Sequence, residues 1–191
     1  MHPEIDRASV AALAGRRVDA NGAAETHFPL SEVIRVAEEL RARFEHCSVG
    51  HLICSAACGA DLLALESAIG MGISISVVLP SSPLAFRSIS VVDRPGDWGP
   101  RFDSIIAAAE QRGSLNVLQF AADDPRGYQA VNEVIVQKAK DCQLNTKLGF
   151  VVWDGKPRGA SDSTAHFMRL ITEAHFQQEV IGTLGDSSAA Y

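Results

Sequence analysis

His51-Leu-Ile-Cys-Ser-Ala-Ala-Cys-Gly-Ala-Asp-Leu-Leu-Ala-Leu-Glu66 reads as a short buried strand, a tight turn of small residues and a helix starting near Cys58. A turn of this kind aims backbone N–H groups and the positive end of a helix dipole at whatever lies above it. Phosphate is a natural occupant of such a position. Small side chains from Ser55 through Ala57, Cys58, Gly59 and Ala60 let a ligand approach the backbone closely. The same residues would equally serve a strand-to-helix turn packed for its own sake, since neither a Walker nor a GxGxxG pattern is present.

Working outward, short apolar runs alternate with helical periods. Strands are expected at Ser9–Ala14, His51–Ser55, Ile73–Leu79, Leu115–Phe120 and Leu148–Trp153, with an edge strand at Glu179–Thr183. Helices are expected over 31–46, 58–70, from about Arg101, over 126–143 and over 163–176. Residues 81–99 read as a long loop without its own pattern, which in a compact domain points to a functional segment or a lid. This alternation predicts an α/β fold, a doubly wound, three-layer Rossmann-like sandwich on a mainly parallel sheet of five to six strands. One domain over 1–191 is expected, with its core at about 9–182 and a frayed tail at 185–191.

Composition narrows the function classes. The net charge of −6 lacks the basic excess of a sequence-independent nucleic-acid binder. Thirteen of the 17 basic residues are Arg, which suits bidentate contacts to phosphate or carboxylate. No apolar run approaches the roughly 18 residues of a membrane span. The first seven residues lack the pattern of a signal peptide, so a cytoplasmic protein is expected. The four cysteines fit reduced thiols, and their spacing offers no zinc site.

In a doubly wound sheet the ligand sits beyond the carboxyl ends of the strands, so the loops there carry the site. After the first strand come Gly15, Arg16, Arg17 and Asp19: two guanidiniums for phosphate and a carboxylate for a ribose hydroxyl, or else a solvated charged loop. The long loop offers Arg87, Arg94 and Arg101 as anion contacts. Phe86 and Trp98 are candidate stacking surfaces, although Trp98 and Phe102 read better as anchors to the core. After the fifth strand Trp153-Asp154-Gly155 leads to Asp162, Ser163 and Thr164, all good N-cap types, at a second helix N-terminus. Tyr128 and Asn132 lie one turn apart and present either a hydroxyl and an amide to the crevice or partners to a neighbouring loop. No nucleophile triad or metal-binding signature is present, and the six histidines are scattered. Glu66 is the acid placed to look back at the crevice, or to face solvent.

The motifs Gly15-Arg-Arg-Val-Asp19, Phe28-Pro29, Ser55-Ala-Ala-Cys-Gly-Ala-Asp61, Val77-Val-Leu-Pro80, Phe86-Arg87, Ser90-Val91, Asp97-Trp98, Arg101-Phe102 and Val152-Trp-Asp-Gly155 occur in this order. Together they resemble the SLOG superfamily, which includes the SMF/DprA proteins and the Lonely Guy (LOG) cytokinin-activating enzymes. The closer resemblance is to bacterial SLOG-type domains of nucleotide-signalling and conflict systems. It implies a sensor that binds a nucleotide or nucleotide-derived small molecule; the absence of metal-ligand spacing leaves no metal and no other cofactor expected. It places the amides of Ser55–Asp61 and of Ser163–Thr164 over phosphate or ribose. Arg16, Arg17 and Arg87 would neutralise charge, and Asp19 or Asp154 would contact ribose. A homodimer and a partner effector protein are the protein partners the resemblance brings with it.

The LOG enzymes carry Pro-Gly-Gly-x-Gly-Thr followed by a catalytic Glu. Here Gly159-Ala-Ser-Asp-Ser-Thr164 is followed by Ala165-His166-Phe167, so the threonine is kept and the acid is not. The alternative reading is a nucleotide hydrolase, cleaving an N-glycosidic or phosphoester bond with Asp19, Asp61, Glu66 or Asp154 as its carboxyl group. A single-strand DNA binder, by analogy with DprA, sits poorly with the charge.

Overall fold

Ser9–Gly15 forms the strand β1, and its continuous apolar run is what a parallel strand covered on both faces requires. Ala11 and Leu13 enter the core on one face of the sheet, and Val10 and Ala12 enter the core on the other. The structure is a computed structural model and describes residues 8–122, 124–159 and 161–185. The expectations for the first seven residues and for most of the tail therefore fall outside the described residues, as does Ala160.

Beside β1 lie β2 (Val49–Cys54), β3 (Ser74–Leu79) and β4 (Leu115–Val117) on one side, and β5 (Thr146–Trp153) and β6 (Gln177–Gly182) on the other. The order is β4-β3-β2-β1-β5-β6, and every neighbouring pair is parallel. Leu13 of β1 is in register with Cys54 of β2 and with Phe150 of β5. The helices α1 (Val33–His46), α2 (Ala60–Gly70), α3 (Pro83–Ser90) and α4 (Trp98–Gln111) cover one face, and α5 (Pro125–Asp141) and α6 (Ser163–Glu173) cover the other. The fold is thus the expected Rossmann-like three-layer sandwich. Among the described residues no helix is long and apolar enough to cross a membrane.

Three expectations need correction. Residues 81–99 are not patternless, because α3 occupies eight of them. Ser82 caps it by accepting the Ala85 N–H, Pro83 starts it, and Phe86 and Ser90 are its buried stripe. Two turns are too short to display a period. β4 ends at Val117 rather than Phe120. Beyond it the chain follows the end of β3 irregularly, with the Leu118 and Phe120 N–H groups donating to the carbonyls of Leu79 and Pro80. Finally, α2 begins at Ala60, because Gly59 holds φ +96° and ψ −126°, outside helical geometry.

The chain changes direction at β1. The first half builds the sheet outward from β1 to β4, and α5 then crosses back over the other face to deliver β5 to the opposite side of β1. Between the carboxyl ends of β1 and β5 the flanking loops part to opposite faces. That is the switch point at which such sheets hold ligands.

Candidate functional site

A cavity of about 300 Å³ opens at this switch point. Its floor is Leu13–Gly15 at the end of β1. One wall is Ser55 and Ala57 from the turn after β2, Asp61 from α2 and Phe86 from α3. The opposite wall is Tyr128, Val131, Asn132 and Ile135 on α5, and Arg17, Arg158 and Ser161–Thr164 complete the rim. The volume lies at the small end of the range for small-molecule sites, roughly 300–1,000 Å³.

Of the residues expected from sequence, Gly15, Arg16, Arg17, Ser55, Ala57, Asp61, Ser163 and Thr164 line this cavity. Gly15 is required there: a Cβ would lie 2.7 Å from the Val152 carbonyl oxygen. Cys58, Gly59 and Ala60 stand behind the wall. Asp19 sits below it, accepting the His27 and Phe28 N–H groups at 3.0 Å each and shaping the loop after β1. Pro80 closes the end of β3, and Gly155 makes a turn at φ +78°. Trp153 lies under the Arg16 guanidinium, 5.6 Å from its ring centroid. Arg87 is outside the site, paired with Asp103 on α4 at 2.8 and 3.0 Å. Arg101 pairs with Glu66 and covers Trp98, so Glu66 turns away from the crevice. Trp98 and Phe102 are buried anchors, as expected, while Phe86 stacks on Phe102 and also reaches the cavity.

The α6 N-terminus is already satisfied from within. Asp162 caps it, accepting the Thr164 and Ala165 N–H groups at 2.9 and 3.1 Å and the Arg158 N–H at 2.7 Å. Its two oxygens also receive Arg16 Nη1 at 2.8 Å each. Burial alone would raise its carboxyl, but the Arg158 N–H, Arg16 and the capped amides outweigh that and hold it below the usual range. Arg16 is only 5% exposed and also reaches Asp154 at 3.3 Å and the Lys156 carbonyl. Asp154 in turn contacts His27 Nδ1 at 2.6 Å. Burial pushes Asp154 up too, and the bonds from His27 and Arg16 win and lower it. Arg16 is therefore the clamp between the ends of β1 and β5, with both neighbouring carboxylates committed to it.

The turn before α2 differs from its reading as an open anion cradle. The Ala57 N–H donates to Asp61 Oδ2 at 3.2 Å, the Cys58 N–H to the Ser90 carbonyl at 3.0 Å and the Ala60 N–H to the Arg16 carbonyl at 3.1 Å. Gly59 permits this closure, since a Cβ there would meet the Arg16 oxygen and the Val18 nitrogen at 2.8 Å. Asp61 is only half satisfied. Its Oδ1 is buried and has no hydrogen-bond partner. Burial pushes its carboxyl up to about 7, against the pull of the Ala57 N–H, the Arg17 charge and the Gly15 N–H.

Arg17 is bound to Asp93 at 2.8–2.9 Å and to the Ile89 carbonyl, at the edge of the cavity. Arg158 is the cation that no sequence signal singled out, lost among the Gly, Pro and Lys of its loop. Among the described residues its guanidinium has no carboxylate within ion-pair distance, and it lines the cavity. Tyr128 and Asn132 do both things expected of them. They line the cavity, while the Tyr128 hydroxyl meets Ser90 Oγ at 2.8 Å and Asn132 Nδ2 donates to the Ser163 carbonyl at 2.8 Å. Cys54 at the end of β2 and Cys58 in the turn are buried thiols: burial drives Cys54 well above its ordinary value and Cys58 up to about 12. Among the described residues no cluster of three or more His, Cys, Asp or Glu side chains could hold a metal ion. No protein-family model and no curated protein matches this chain.

Proposed function

We propose that the protein binds a nucleotide or nucleotide-derived small molecule in the switch-point cavity and serves as a sensor or ligand-binding domain. The observation that carries this reading is the make-up of the cavity: an apolar wall, a buried carboxyl with a free oxygen, and cationic side chains at the rim. Val131 and Ile135 suit the flat face of a base, and Arg158 and Arg17 suit a phosphate. Because the amides at Ala57, Cys58, Ala60, Thr164 and Ala165 are already bonded, the anion is assigned to guanidinium groups rather than to the two helix termini. Calorimetric titration of the intact protein with adenosine 5′-monophosphate (AMP), a cyclic dinucleotide and ADP-ribose tests it. At least one should bind at a single site, and Arg158→Ala should weaken that ligand more than it weakens adenosine. Absence of binding by every member of the panel would overturn the reading.

One observation favours a second reading, a nucleotide hydrolase. Of the four carboxyl groups considered from sequence, Asp61 alone lines the cavity, and it is poised to hold or release a proton near neutrality. Incubation with nucleoside monophosphates should then release free base or phosphate, and Asp61→Asn should stop it. Binding without product formation supports the sensor.

A further inference from the structure

Asp61 Oδ1 is one of two buried side-chain polar atoms without a partner among the described residues, and the other, Ser81 Oγ, is not part of the cavity wall. A buried acceptor left unbonded is costly, so such atoms in a cavity are commonly completed by what binds there. Asp61 Oδ2 receives the Ala57 N–H, and the Gly15 N–H at the end of β1 also favours the charged carboxyl. The carboxyl group thus retains room for two donors arriving side by side from the cavity.

We propose that Asp61 is the specificity-determining residue of the cavity, accepting hydrogen bonds from the vicinal 2′- and 3′-hydroxyls of a ribose. The inference rests on the nucleotide reading above and deepens it. A base amine is the competing donor, and the walls decide between them. The aliphatic pair Val131 and Ile135 belongs to α5 on one face of the sheet, whereas Asp61 belongs to α2 on the other, where the neighbouring Phe86 is already stacked on Phe102. A base laid on α5 turns the sugar toward α2, and the phosphate is left for Arg17 and Arg158 at the rim.

Two hydroxyl donors favour the ionised carboxyl, so sugar binding drives off the proton that the empty site holds at about neutral pH. The groups around Asp61 leave it as the one that responds. The Arg17 charge, from the loop after β1, pulls Asp61 down, and Cys54 of β2 and Cys58 of the turn are kept protonated by burial. Asp93 and Arg94 lie beyond Cys58. Tyr128 of α5 and Arg158 and Asp162 beyond β5 stand across the cavity, with Asp162 already neutralised by Arg16.

The test is calorimetry on the intact protein with AMP, 2′,3′-dideoxyadenosine 5′-monophosphate and inosine 5′-monophosphate, in two buffers of different ionisation enthalpy at pH 7. AMP should bind about 10- to 100-fold more tightly than the dideoxy analogue. It should also release about half a proton more, although both carry the same phosphate. Asp61→Ala should bring the two ligands together, and Asp61→Asn should abolish the difference in proton release. Equal affinities and equal proton release for the two ligands on the unmodified protein would overturn the proposal while leaving nucleotide binding standing. So would a preference for AMP over inosine monophosphate with no effect of the hydroxyls, which would hand Asp61 to the base. If no nucleotide binds at all, the reading of the cavity itself falls. The arms on the unmodified protein decide the matter even if the variants do not fold.

Discussion

Two helices point their N-termini at one cavity, and each meets a carboxylate of its own chain, yet the two carboxylates live in opposite conditions. Asp162, at α6, is saturated by Arg16 and three backbone N–H groups and is held below the usual range. Asp61, at α2, has the Ala57 N–H on Oδ2, the Gly15 N–H nearby and no partner on Oδ1, and is pushed up to about 7. Both are 6% exposed. Equal exposed area hides a difference in depth: Asp61 lies deeper among protein atoms, so burial raises it further, and it also has fewer donors to offset that than Asp162 has. A carboxylate given all its donors becomes part of the frame, and one denied them is left with capacity for a ligand.

The largest way to break this contrast is Asp162→Ala. It strips a buried guanidinium of its bidentate partner and uncaps α6, and should cost about 3–5 kcal/mol in chemical denaturation. Asp61→Asn should act in the reverse sense. The folded carboxyl titrates near 7 against an ordinary value of 3.8, so the unfolded chain gives up its proton first. Stability contributed at low pH is then lost as pH rises from about 4 to about 7. The variant escapes that loss and should be more stable than the parent by about 2–4 kcal/mol at pH 8, with little difference at pH 4.

Gly59→Ala probes the turn that keeps the α2 amides closed. A side chain at φ +96° facing the Arg16 and Val18 backbone should cost about 1–3 kcal/mol and loosen the end of β1. At the acid limb Asp154 and Asp162 work opposite to Asp61. Their lowered carboxyls contribute stability above about pH 4, and that contribution disappears as pH falls through their folded values. Arg16→Lys, which lacks the planar fork that reaches Asp154 through Nε and Asp162 through Nη1, should flatten this acid limb. The smallest effect concerns the thiols: Cys54 and Cys58 should resist alkylation at pH 7.5 in the native protein and react only when it is unfolded.

Much of the frame was legible because the inner strands are short apolar runs and the amphipathic helices repeat their buried face often enough to be counted. α3 was not, since its whole apolar signal is Phe86 and Ser90. The end of β4 was not either, because Leu118 and Phe120 remain apolar after the ladder has ended. At the site, the loops were identifiable by their charge, but charge alone does not say whom a residue faces. Arg16 and Arg17 look alike in sequence; one is buried against Asp154 and Asp162, and the other stands at the rim on Asp93. Helical spacing left Glu66 between the crevice and solvent, and Arg101, 35 residues away, draws it outward. Arg158 was invisible for the converse reason: its importance lies in the partner it lacks. That the Asp61 oxygen is unpartnered is a property of three elements meeting, and no spacing encodes it.

The contrast between the two carboxylates can be read directly by carbon-detected NMR titration of the aspartate side chains, with and without AMP. The account predicts that the free protein shows one aspartate, Asp61, titrating near pH 7, and that AMP drives its midpoint down while Asp162 stays low throughout. An Asp61 resonance that titrates with the exposed aspartates near pH 4, unchanged by AMP, would contradict it.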